Sequence, residues 1–151
     1  MRTAKLAVLL FIIAAVPAAT LAQDEKKKTD ALQGTWELKS FKQGGTEDPD
    51  FVKDNSPKLV CEGEKYEWKA GAASEKGTIK LGMKDKLLTL DFMITEGNDK
   101  DKTQVGIYKI EGDELTICFN RPGAAERPKK FESKEDAPEF ILATLKRRKK
   151  E

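Results

Sequence analysis

Between Leu32 and Arg147 the chain repeatedly alternates apolar and polar residues for five to ten positions, then breaks at a short polar turn. Alternation of period two puts successive side chains on opposite faces and marks a half-buried strand. The clearest case is Lys86–Thr95, where Leu88, Leu90, Phe92 and Ile94 share one face while Thr89 and Asp91 take the other. The same reading gives strands at Leu32–Lys42, Lys58–Glu62, Lys65–Ala70, Gly77–Leu81, Gln104–Ile110, Glu114–Asn120 and Glu139–Arg147. Gly63-Glu64 and Gly112-Asp113 are two-residue links that begin with Gly, as tight hairpins require. No segment shows sustained helical periodicity, although Thr46-Glu47-Asp48-Pro49 can cap a short helical turn through Lys53 with Phe51 and Val52 as its apolar side.

Eight sequential strands with short links close naturally into an antiparallel up-and-down β-barrel, which leaves no exposed edge. A two-sheet β-sandwich is the alternative. Ile107 beside Tyr108 and Ile117 beside Cys118 make the Gln104–Ile110 and Glu114–Asn120 strands apolar on both faces, so something is expected to pack outside them.

The first 22 residues precede this pattern. Arg2 and Lys5 lead into an apolar run, Leu6–Val16, and Thr20-Leu21-Ala22 ends it with small residues. That is the layout of a secretory signal peptide, too short an apolar run for a comfortable permanent span. An uncleaved anchor is the competing reading. The expected product is exported, periplasmic or extracellular, with no stable membrane anchor after cleavage. Residues 23–30 are polar and charged and read as a frayed lead-in to a single domain over 31–148, with a basic tail at 149–151.

Removing Arg2 and Lys5 with the signal leaves 26 basic against 26 acidic residues. Near neutrality gives no argument for a nucleic-acid partner. Lys146–Lys150 reads as a solvated terminal cluster, and a monomer is the default expectation. Cys61 and Cys118 are the only cysteines. Export permits a disulfide, but both lie mid-strand on strands that a barrel would not make neighbours, and a bridge needs Cα atoms within about 7 Å. Two buried thiols fit that order better.

Taken together, Leu32-Gln33-Gly34-Thr35-Trp36, Gly106-Ile107-Tyr108, the run Gly112-Asp113 with Leu115-Thr116-Ile117-Cys118-Phe119, Arg127-Pro128 with Phe131, and Leu145-Lys146-Arg147 follow a recognisable order. From Ala31 to Arg148 the chain resembles a family of small exported lipocalin-like proteins abundant in planctomycete bacteria. The resemblance implies an eight-stranded lipocalin-like barrel and export, and it carries no activity with it. It also implies that Trp36 seals one barrel end beneath a basic side chain of the last strand, Arg147. Cys61 departs from the pattern, where an ordinary apolar residue is expected.

The chain contains no His. That excludes His-based triads and imidazole ligation of metal or haem. Ser40, Ser56, Ser74 and Ser133 lie in neither a Ser-x-x-Lys nor a Gly-x-Ser-x-Gly setting, and no phosphate-cradling Gly loop is present. A carboxylate pair is the remaining catalytic option, yet no acidic residue stands in an apolar sequence setting on an inward face. Asn98-Asp99-Lys100-Asp101 lacks the further ligands that Ca²⁺ needs. No enzyme activity, metal or cofactor is expected.

What the residues offer is a barrel interior. Tyr66, Trp68, Leu88, Leu90, Phe92, Tyr108 and Ile110 are the candidates to line a pocket for a small apolar ligand; alternatively they fill a solid core. Asn120–Pro138 is a long aperiodic connection carrying Arg121, Arg127, Lys129 and Lys130, with Phe131 able to tuck it down. Such loops are often lids, and a cationic one would steer an anionic ligand. An ordinary surface loop is the plainer reading. A filled barrel acting through its surface, as an envelope interaction module, is the second functional expectation.

Overall fold

The computed structural model describes residues 18–150. Residues 1–17, which hold most of the expected signal, and Glu151 at the end of the tail lie outside the described residues. Helix α1 (Ala18–Leu32) is followed by β1 (Gly34–Gln43), a two-residue β2 (Thr46–Glu47) and helix α2 (Pro49–Asn55). Seven strands complete the chain: β3 (Lys58–Glu62), β4 (Lys65–Ala70), β5 (Ala73–Lys84), β6 (Leu87–Glu96), β7 (Thr103–Glu111), β8 (Glu114–Phe119) and β9 (Ile141–Arg147). Every pairing between strands is antiparallel and runs in chain order from β3 to β9, and β1 pairs with both β3 and β9. The result is a closed eight-stranded up-and-down barrel with β2 appended to β1, not a sandwich.

Two local differences from the sequence reading have simple causes. The stretch 23–30, read as a frayed lead-in, is helical, because α1 ends by burying Leu32 against the barrel core. The pattern of β1 changes parity at a bulge between Leu38 and Ser40. Trp36 and Leu38 point inward, one extra residue follows, and the next inward ring is therefore Phe41.

The core is one continuous cluster with Trp36, Leu59, Leu90, Phe92, Leu115, Ile117 and Leu145 all but fully buried. At its α1 end the indole of Trp36 donates to Leu32 O at 2.8 Å, and the Arg147 guanidinium lies 4.1 Å from the ring centroid. Arg147 also donates to Gln33 O and Ala31 O. The hairpin turns at Gly63 and Gly112 have φ of 62°, the left-handed value that a leading Gly adopts without strain.

Cys61 and Cys118 are free and buried. Cys61 belongs to the interior cluster, whereas Cys118 alternates with the inward Ile117 and Phe119 and faces outward, its Sγ 3.6 Å from Glu132 O. The two thiols sit on opposite faces of the wall. Burial pushes Cys61 up to about 12 and Cys118 to about 11, so both remain protonated and unreactive at neutral pH.

Candidate functional site

The end of the barrel away from Trp36 is open and forms a cavity of about 200 Å³. Six of the eight wall strands and α2 contribute to it: Leu38 and Phe41 from β1, Phe51 from α2, Trp68 and Ala70 from β4, Glu75 from β5, Gln104 from β7, Phe119 from β8 and Ala143 from β9, with Pro57 from the link before β3. Helix α2 is held over the rim by its caps. Asp48 Oδ1 accepts from Phe51 N at 2.9 Å, Pro49 occupies the first turn, and Ser56 closes the helix in a left-handed conformation. This brings Phe51 to a ring-centroid distance of 4.9 Å from Phe41.

Of the seven residues expected to line a pocket, only Trp68 does so. Tyr66, Leu90, Phe92 and Tyr108 are buried, and Leu88 and Ile110 pack against them as core filling. The Trp68 and Phe92 rings are 6.3 Å apart and the Tyr66 and Phe92 rings 4.6 Å apart, so the lining indole is continuous with the aromatic core. The buried Tyr108 hydroxyl has no hydrogen-bond partner among the described residues, and burial pushes it up to about 12.

Glu75 is the polar group of the site that the sequence reading missed. It is the cross-strand partner of Trp68, and its Oε1 accepts from the Tyr66 hydroxyl at 3.0 Å. Burial pushes its carboxyl above the ordinary value of 4.5; the Tyr66 hydrogen bond opposes that shift and the nearby Asp99 adds to it. A raised carboxyl favours the protonated form in the folded state, so ionised Glu75 costs stability as pH climbs from the ordinary value through the raised one. Gln104 completes the polar edge, its Nε2 donating to Asn120 O at 2.9 Å.

The long connection after β8 is not a lid. From Asn120 it runs down the outer wall, with Asn120 N bonded to Val105 O, Gly123 N to Thr103 O, and Gly45 N from the β1–β2 turn donating to Ser133 Oγ. Arg127, expected to steer an anion, is an anchor: its Nη1 lies 2.7 Å from Asp91 Oδ1 and donates to Gly106 O at 2.8 Å. Phe131 lies 5.2 Å from Lys109 Nζ on the same outer face, and Arg121 is exposed. The strap covers Cys118 and its partner Ile107, which explains why β7 and β8 are apolar on both faces. Arg127→Ala should therefore loosen the strap and cost about 1–2 kcal/mol, between the values for exposed and buried ion pairs. Faster amide exchange over residues 121–140, measured by hydrogen–deuterium exchange, is the expected signature; unchanged exchange there would mean that the strap is held by its other contacts.

A larger cleft of about 630 Å³ lies at the other end, between α1 and the part of β5 beyond its β4 partner. Its lining mixes Leu32, Ile79 and Leu81 with Lys26, Asp30, Glu64 and Lys80 and, among the described residues, contains no aromatic ring. Among the described residues no group of three Cys, Asp or Glu side chains could hold a metal ion, and Asp99 in the 98–101 turn is paired with Lys102 at 2.7 Å. No protein-family model matches the chain, and no curated protein matches it.

Proposed function

We propose that the chain is an exported binding protein of lipocalin-like type that holds a small, mostly apolar molecule in the mouth of its barrel. The aromatic cavity of about 200 Å³ between Phe41, Phe51 and Trp68 carries this reading. Concave apolar sites with a few convergent polar groups are the usual form of small-molecule sites, and Glu75 and Gln104 supply those groups here. Export rests on the N-terminal signal pattern.

Toluene is a neutral probe of matching size. It should perturb the NMR signals of Phe41, Phe51 and Trp68 and raise the melting temperature of the wild type. Ala70→Phe, which fills the cavity from its rim, should weaken that binding at least tenfold while the protein still folds. A wild type that ignores toluene, or an Ala70→Phe protein that binds it equally well, would overturn the reading. The interaction-module reading would then lead, since the barrel below the mouth is packed with side chains.

A further inference from the structure

The mouth cavity sets one carboxyl among its aromatic rings. Because Glu75 and Trp68 are cross-strand partners, carboxyl and indole stand side by side on the inner face. One oxygen of Glu75 is held by the Tyr66 hydroxyl. Among the described residues no Lys or Arg nitrogen comes within ion-pair distance of this carboxylate. The other charge acting on it, Asp99, is also an acid. A half-buried carboxylate among aromatic rings is costly unless a cation completes it, because burial penalises the charged form. Elsewhere in this molecule such a charge has its partner: Asp91, similarly shielded on the outer wall, has Arg127. At the mouth no described side chain supplies that cation, and the open end admits one from outside the barrel.

From this juxtaposition we infer that the ligand is an organic cation, a one-ring or short-chain amine whose ammonium pairs with Glu75 and whose apolar body lies among Phe41, Phe51 and Trp68. The inference rests on the binding reading above and narrows it to a chemical class. Aromatic faces attract cations through their quadrupoles, most strongly for indole, so Trp68 and Glu75 favour the same charge. Size sets the other limit. The cavity holds about 200 Å³, close to the roughly 150 Å³ that accommodates benzene and below the roughly 300–1,000 Å³ of drug-sized sites. A long lipid tail is too large, and a carboxylate ligand would meet Glu75 at like charge.

Three isosteres separate charge from shape: phenethylamine, 2-phenylethanol and phenylacetate. Titrated into the full mature chain at pH 7.4 and followed by calorimetry, phenethylamine should bind at least tenfold more tightly than the alcohol, with phenylacetate weakest. Raised salt should narrow that gap. In Glu75→Gln the advantage of amine over alcohol should fall to about one. The variant should also melt no lower than wild type at neutral pH, since it removes the cost of an ionised group. Equal binding of amine and alcohol by the wild type, or an amine preference that survives Glu75→Gln, would overturn the inference and leave the toluene-binding cavity standing. Failure of all three ligands while toluene still binds would also overturn it, whereas failure of toluene as well would remove the cavity reading itself. If Glu75→Gln does not fold, the wild-type ligand series still decides.

Discussion

Trp36→Ala should lower the unfolding free energy by about 3–5 kcal/mol, the range for truncating a buried large aromatic. The ring is fully buried, sits in the central cluster, and anchors three things at once. Its indole N–H bonds to Leu32 O, which fixes the end of α1 against the barrel. Its face carries the Arg147 guanidinium, and Arg147 in turn donates to two carbonyls of the α1–β1 junction and lies 3.7 Å from Asp113. Its strand, β1, is the seam that joins β3 to β9 and closes the sheet. Truncation therefore opens a cavity, orphans a buried carbonyl and removes the platform of a guanidinium. Urea denaturation of Trp36→Ala, Arg147→Ala and the double variant checks this. The cycle should show a coupling of about 0.5–2 kcal/mol for the stacked pair. A loss under about 1 kcal/mol for Trp36→Ala would mean that the seam is held elsewhere.

The pattern that made the barrel legible is local. Leu88, Leu90, Phe92 and Ile94 reveal their face because inward and outward positions differ within a few residues, and the turns at Gly63 and Gly112 announce themselves by composition. The site is less legible because it depends on register. The bulge after Leu38 hides Phe41, since strict alternation places it outside. Glu75 stands in Ala73-Ser74-Glu75-Lys76, a stretch without alternation that reads as a loop, whereas β5 begins at Ala73. Counting back by twos from the inward Ile79 and Gly77 would have reached Glu75; that was the available signal. Arg127 shows the opposite failure. A cation on a long loop suggests ligand steering, but its partner Asp91 lies 36 residues away in sequence, and no local pattern connects them. The alternation of β6 does turn Asp91 outward, and on that face it meets Arg127.

Gly77→Ala should be among the most damaging small substitutions in the chain, with a loss at the upper end of about 1–3 kcal/mol. The cause is space, not backbone freedom. Gly77 pairs with Tyr66 on one side and Ile94 on the other, where β6 accommodates the extra residue Thr95. A Cβ at this position would stand 2.0 Å from Met93 O and 2.9 Å from Cε1 of the Tyr66 ring. The first contact is with backbone of the neighbouring strand, which cannot rotate away, so the β5–β6 ladder must shift. The second pushes the ring whose hydroxyl holds Glu75 at the cavity edge. The substitution therefore acts on both the wall and the site, and it should displace the Glu75 carboxyl in whatever fraction remains folded. Gly106→Ala is the comparison: its Cβ would meet Cys118 O at 2.7 Å and the Phe119 side chain at 3.0 Å, a milder conflict on the same kind of wall. Urea midpoints should fall in the order wild type, Gly106→Ala, Gly77→Ala. A Gly77→Ala protein as stable as wild type would mean that β5 and β6 do not approach this closely.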